Sequence, residues 1–144
     1  MPGVILLVLI LFFYSLVLLE IWDKVKFNSE KFNNTLMSIK AFFDKGSVRF
    51  LMAFSGLIIG IWNFFAPDFG YPEGGPTIIG ALLPSIAMVL SSVVIYPGII
   101  EILNIPQEEK NKYYDFIEKY RGIAGVIALV VAILHAVLFK IILF

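Results

Sequence analysis

Several kinds of residue are absent or scarce in this chain of 144 residues. It has no cysteine, which excludes disulfides, thiolate metal sites and cysteine nucleophiles. Charged residues make up only 15% of the chain, whereas soluble domains carry about 25%. Eleven lysines and arginines balance eleven acidic residues. Because the net charge is zero, no basic surplus points to nucleic acid as a partner.

Sequence motifs of catalysis are missing too. The chain contains no HExxH, GxSxG or P-loop pattern and no cluster of metal-ligand residue types. Its one histidine, His135, is too little for a catalytic triad. One chain also cannot supply the two histidines of a bis-histidine haem, although a dimer can. We therefore expect a protein that is not an enzyme and that has no cofactor.

Apolar residues are abundant. They make up 60% of the chain, and the mean hydropathy is +0.92. A soluble domain this small could not bury so much apolar surface. Four segments are long enough to cross a hydrocarbon core, which takes about 20 helical residues. The four predicted spans are residues 3–21, 48–65, 77–95 and 122–142.

The basic residues predict the topology. Ten of the eleven lysines and arginines lie in or beside two connections, 22–47 and 96–121. The positive-inside rule places these two connections in the cytoplasm and both termini outside, which suits a bacterial inner (plasma) membrane. No lysine or arginine precedes the first apolar run, so we expect a retained span and not a cleavable signal.

Both cytoplasmic connections show apolar residues at helical spacing. The sequence predicts an amphipathic helix in each, the first between Ser29 and Gly46 and the second from Asn104 to the region of Tyr120. Two arrangements are open: the helices lie on the membrane surface, or they pack against the inner end of the bundle.

A shift of 72 residues aligns the second span with the fourth and suggests an internal repeat. The aligned pairs are Arg49 with Arg121, Gly56 with Ala128, Gly60 with Ala132, and Asn63 with His135. Each half would contain two spans, so the halves 1–72 and 73–144 would run in the same direction, as in some transporters. Chance similarity between apolar helices is the alternative.

Small residues lie on one face of the second and fourth spans. They are Gly56, Gly60, Ala124, Ala128, Ala132 and Ala136. Small residues four apart let helix backbones approach closely. We therefore expect the second and fourth spans to meet at the centre, with the bulky first span facing lipid or a partner. Pro84 should kink the third span, which we expect to join the centre through its own small residues.

Two polar residues and two arginines are candidate functional residues. Asn63 and His135 each follow an arginine by 14 residues, about 21 Å along a helix. They form either a hydrogen-bonded fastener between helices or a polar station on a solute or proton path. Arg49 and Arg121 should reach lipid head groups, and Glu20 and Glu101 are candidate partners for them.

The sequence thus predicts an all-α integral membrane protein with a single domain, 1–144. Its architecture would be a four-helix bundle of two parallel-repeat hairpins with two cytoplasmic surface helices. The leading hypothesis is an accessory or scaffold subunit of a larger membrane assembly, which includes a homo-oligomer. The alternative is an oligomeric small-solute or ion transporter or channel. The expected partners are the lipid bilayer and other membrane subunits or further copies of the chain.

Overall fold

The structure is a computed structural model, and it describes residues 2–65 and 78–138. These residues form helices and no strand. In chain order the helices are α1 (Pro2–Leu18), α2 (Ile21–Lys24), α3 (Glu30–Phe43), α4 (Gly46–Phe65), α5 (Ile78–Ile95), a 3-10 helix (Pro97–Ile102) and α6 (Gln107–Leu138).

Two of the described helices, α4 and α6, are long and apolar enough to cross a membrane. The helices α1 and α5 are also apolar, with 17 and 18 residues. The predicted spans 3–21, 48–65 and 77–95 agree with α1, α4 and α5 to within three residues, whereas the predicted span that begins at residue 122 starts inside α6. Residue 77 and residues 139–142 of the predicted spans lie outside the described residues.

The prediction of a separate second surface helix is wrong, because α6 is one continuous helix of 32 residues. No proline follows Pro106, and glutamate and lysine favour helix through this stretch. Gly122, at the predicted boundary, costs a helix only about 1 kcal/mol. In the first half, by contrast, α3 ends before Asp44 and α4 begins at Gly46.

The helices pack in a different order from the predicted one. Most of the contact is between α4 and α5 and between α1 and α6, with α5 also touching α1 and α6. The expectation that the second and fourth spans meet at the centre is therefore wrong. So is the expectation that α1 faces only lipid or a partner, since Leu11 is fully buried in the core.

Complementary residue size explains this order. The bulky residues of α1 fill the space that small residues leave on α6: a Cβ added at Gly125 would lie 3.1 Å from Leu18 Cβ. On α4, Gly60 faces α5 in the same way, where an added Cβ would lie 2.9 Å from Val89. Small residues thus meet large ones across each interface, and the two small-residue faces do not meet each other.

Buried positions recur at fixed intervals along the chain. The four buried residues of α4 are followed 72 residues later by four buried residues of α6. They are Ala53, Gly56, Gly60 and Asn63, then Gly125, Ala128, Ala132 and His135. Six buried residues of α1 are followed 77 residues later by six in α5. They are Leu7, Leu11, Tyr14, Ser15, Val17 and Leu18, then Pro84, Met88, Ser91, Ser92, Val94 and Ile95.

The surface helix α3 has no buried residue. Its last aromatic residue, Phe43, contacts Phe13 with ring centroids 4.9 Å apart and stacks on Trp22 at 6.0 Å. The ion pair between Lys40 and Asp23 ties α3 to α2. Other large apolar residues of α3, such as Phe32 and Phe42, are exposed. Only the end of α3 therefore docks on the bundle.

Candidate functional site

A buried hydrogen bond joins α4 to α5 near the end of α4. The Asn63 side chain is 8% exposed, and its Nδ2 donates to Ser85 Oγ over 2.9 Å. Gly60, one turn earlier on α4, lets the two backbones approach closely enough for this bond. Leaving an amide unbonded inside an apolar bundle would cost free energy, so the pair stabilises the interface.

His135 is fully buried on α6, on the face that also carries Ala128 and Ala132. The sequence predicted a direct hydrogen bond between Asn63 and His135. The amide nitrogen of Asn63 donates to Ser85 of α5, along which α4 packs, and a direct bond of Asn63 to His135 stays a prediction. A shared role for Asn63 and His135 as a polar station stays a prediction.

A second polar layer lies about two helical turns from the first. Tyr14 Oη of α1 donates to the backbone oxygen of Met52 and lies 3.4 Å from Ser55 Oγ, both on α4. Ser92 of α5 donates to the Met88 oxygen over 2.7 Å. Gly56 makes room for these side chains, since an added Cβ would clash with Ser92 and lie 2.7 Å from Tyr14 Cε2.

Sequence reasoning missed Tyr14, Ser85 and Ser92. A signal was present, because Ser85 and Ser92 are seven residues apart, which places both on one face of a helix. The partner on α1 carried no such signal, since a single tyrosine in a bulky span is ordinary. The layers join three helices, and each bonded hydroxyl uses a backbone oxygen or a neighbouring side chain.

The predicted packing residues lie mostly in helix interfaces. Gly56, Gly60, Ala128 and Ala132 are buried, and Ala124 is half-buried. Ala136 lies on the exposed side of α6. Ala136 is therefore the one predicted packing residue that lies outside a helix interface, although it continues the four-residue spacing of the alanines.

A shallow apolar cavity of about 140 Å³ lies between α1 and α4. Its lining is Leu6, Leu7, Ile10, Ile58, Ile59, Trp62 and Asn63. Asn63 is the one amide in this lining, and its nitrogen is already bonded to Ser85. An apolar wall with one engaged amide can accommodate a hydrocarbon chain more readily than a hydrated ion.

The described part of the chain brings no reactive set together. Within residues 2–65 and 78–138, no group of three or more histidine and acidic side chains is placed to hold a metal ion. The buried hydroxyls that bond do so mainly to backbone oxygens, which cannot act as general bases. The Tyr14 bond fastens α1 to α4, whereas the Ser15 and Ser92 bonds lie within their own helices.

The two arginines have different environments. Arg49, in the first turn of α4, pairs with Asp44 over 2.6 Å and donates through Nε to the Phe43 oxygen over 3.2 Å. Arg121 lies 3.4 Å from the Glu20 carboxylate and 3.9 Å from that of Glu118. The candidate pair of Glu20 with an arginine is therefore present. Lipid head-group binding by Arg49 and Arg121 stays a prediction.

The other acidic candidate, Glu101, joins the 3-10 helix to α6. It accepts hydrogen bonds from Lys110 Nζ at 2.9 Å and from Tyr114 Oη at 2.8 Å. These two bonds, the one from Lys110 first, lower the pKa of Glu101 below its ordinary value. The same contact raises the pKa of Tyr114. We call this group the Glu101 clasp.

Comparison with known proteins gives one match. A family model whose description assigns no function matches residues 3–135. No curated protein and no solved structure matches the chain.

Proposed function

The chain belongs to the family defined by that model, and we propose that it is an accessory or scaffold subunit of a larger membrane assembly, including a homo-oligomer. The proposal assigns it no catalytic activity and no cofactor. The observation that carries it is the buried hydrogen bond from Asn63 to Ser85. This bond gives the Asn63 amide a structural role, because it joins α4 to α5.

We propose that α1, α4, α5 and the apolar part of α6 all cross the membrane. The helices α1 and α5 have 17 and 18 residues, which at 1.5 Å per residue is close to the hydrocarbon thickness of ~30 Å. Their outward residues, such as Leu9 and Leu90, are apolar and exposed. Basic residues cluster in 22–49 and 110–121, so these stretches would be cytoplasmic in an inner membrane, with both termini outside.

We also propose that the bundle arose by duplication of a two-span unit. The recurring buried positions support this origin. In such a duplication α1 corresponds to α5, and α4 corresponds to α6. The interface between α1 and α6 then corresponds to the interface between α5 and α4. Those are the two largest interfaces between described helices. Each half then supplies one helix to each interface, so the halves interlock.

The outward face of α4 is the best candidate for contact with another subunit. It carries Phe50, Phe54, Ile58, Ile61, Trp62 and Phe65, all exposed. Aromatic residues are enriched at the cores of protein interfaces. The outward face of α6 between residues 123 and 137 is instead aliphatic, with Ile123, Val130 and Ile133 exposed, as suits contact with lipid.

Cysteine cross-linking tests this assignment cleanly, because the chain has no cysteine of its own. We expect a short bis-maleimide to link Ile58→Cys covalently to a neighbouring subunit in native membranes. Ile133→Cys on α6 is the matched control, with similar exposure, and should stay uncross-linked. Equal cross-linking at both positions, or at neither, would count against an assembly through α4.

The alternative is an oligomeric transporter or channel for a small solute or ion. One observation favours it. His135 on α6 is completely buried, whereas the other buried polar side chains among the described residues are mostly serine hydroxyls. Flux into liposomes separates the two functions. If flux is present and is lost in Asn63→Ala or His135→Ala, the transporter is supported. If the wild-type protein gives no flux while both variants lose thermal stability, the polar residues are fasteners.

A further inference from the structure

Arg49 and Arg121 form a natural comparison, because they are the two arginines of the chain and lie 72 residues apart at matching places. Each lies close to the cytoplasmic start of an apolar helical stretch. A guanidinium group offers two kinds of contact: the end of the fork, and the edge formed by Nε and Nη2. That edge donates two parallel hydrogen bonds to a carboxylate or phosphate.

In Arg49 the edge is occupied within the chain. Nε donates to the Phe43 oxygen and Nη2 donates to Asp44. Both acceptors come from the turn between α3 and α4, where the chain reverses beside the arginine. The second half has no such turn, because α6 continues through the corresponding residues.

In Arg121 the edge is unpartnered. Its Nε and Nη2 are both inaccessible to solvent and have no hydrogen-bond partner among the described residues. Both carboxylates nearby contact Nη1 alone, at 3.4 and 3.9 Å. Both distances are longer than a well-formed charged hydrogen bond, which measures about 2.7–2.9 Å. Leaving charged donors buried without acceptors is unfavourable, so this edge fits an additional oxyanion.

Glu20, which lies beside Nη1 of Arg121, has an unfavourable backbone conformation. Its φ is 51°, and within the described ranges no other residue except glycine has a positive φ. A left-handed conformation is unfavourable for an L-residue. The Glu20 side chain is 47% exposed while that of Arg121 is 17% exposed, so water competes for the Glu20 carboxylate in this long ion pair. A weakly held, exposed carboxylate is the group that an incoming anion can displace.

We propose that the Nε–Nη2 edge of Arg121 binds a phosphate group, in competition with the weak ion pair between Glu20 and Nη1. Arginine suits phosphate because its planar fork matches two phosphate oxygens. Arg121 is the last charged residue before the apolar stretch 122–138, and Glu20 is the first after 3–19. Both therefore lie at the level of phospholipid head groups, and a phosphate there comes either from a lipid or from a soluble phosphate compound.

The side-chain Nε–H signals of the full chain in maltoside micelles test this site. With two arginines, the ¹⁵N–¹H spectrum should contain two such signals, which Arg49→Lys assigns by removing one. We expect dihexanoyl phosphatidylglycerol to shift the Arg121 signal saturably and to leave the Arg49 signal in place. Dihexanoyl glycerol, which lacks the phosphate, should shift neither.

Inorganic phosphate identifies the source. A shift with phosphatidylglycerol alone assigns a lipid head group, and a shift with both assigns a phosphate site open to soluble compounds. Glu20→Gln should lower the midpoint of the titration about two- to fivefold, because it removes a competing exposed ion pair. The proposal is overturned if neither phosphate compound moves the Arg121 signal, or if both arginine signals move together. An unchanged midpoint in Glu20→Gln rejects the role of Glu20.

Discussion

Glycine residues determine how closely α4 approaches its neighbours. At Gly56, the space that a Cβ would occupy already holds Ser92 and Tyr14. At Gly122 on α6, a Cβ would meet nothing within 4 Å. Both positions are glycines within a helix. Replacing each by alanine therefore separates the steric effect of an added Cβ from its effect on helix propensity.

We predict that Gly56→Ala destabilises the protein by about 1–3 kcal/mol, because overpacking forces the α1, α4 and α5 side chains apart. Gly122→Ala should leave stability unchanged or raise it by up to about 1 kcal/mol, since alanine favours helix more than glycine does. Unfolding of both variants in mixed detergent micelles measures the difference. A stable Gly56→Ala variant would mean that this close approach is absent.

The bond between Asn63 and Ser85 allows a double-mutant cycle. We expect a coupling free energy of about 0.6–2 kcal/mol between Asn63→Ala and Ser85→Ala, the range of interhelical hydrogen bonds in membranes. The parallel cycle of Asn63→Ala with His135→Ala should give a smaller coupling. A larger coupling to His135 would show that Asn63 interacts more strongly with His135 than with Ser85.

At the scale of helices, the sequence predicted the elements well and their neighbours poorly. The predicted span 48–65 became α4, because Gly46 and the end of the apolar run bound it. Spacing on a helix also placed Gly56, Gly60 and Asn63 correctly on one buried face. Periodicity, however, specifies which residues share a face and not which helix covers that face. The partner of Asn63 depended on the packing of α4 against α5.

Helix ends were the other failure. A glycine after a charged stretch predicted a boundary at both Gly46 and Gly122. The first is a boundary because Asp44 and Lys45 form a turn before it, with Arg49 bonded to that turn. The second lies inside α6, because its neighbours on both sides favour helix. A glycine alone therefore does not decide between a helix end and a tolerated interior position.

The Glu101 clasp predicts pH-dependent order in the first turns of α6. Because the folded pKa of Glu101 is lowered, the clasp stabilises the fold fully above the ordinary glutamate pKa of about 4.3 and is lost as the pH falls through the lower folded pKa. A spin label on Asn111→Cys should therefore become more mobile as the pH is lowered below about 4.

Glu101→Gln provides the control for that measurement, because its side chain does not titrate. In this variant the label should be mobile at neutral pH and should change little on acidification. If the label in the unsubstituted clasp stays immobile at low pH, then packing of α6 on α1 holds this region without help from Glu101.

The whole molecule combines a closed interior with open outer faces. Among the described residues, hydrogen bonds from Tyr14 to Met52 and from Asn63 to Ser85 join three of its helices. Its aromatic residues on α4 point outward, away from the core. A small bundle with an aromatic outer face is suited to hold a position in an assembly, and this is the central claim for its function.

The most direct test is the mass of the complex released from native membranes by a membrane-solubilising copolymer, which keeps lipid and neighbouring subunits in place. We predict a species of defined stoichiometry that contains this chain together with further copies or another subunit. Phe54→Ala and Ile58→Ala on α4 should shift it towards the single chain, whereas Ile133→Ala on α6 should not. A single chain in lipid, with the same mass in all variants, would contradict the assembly role.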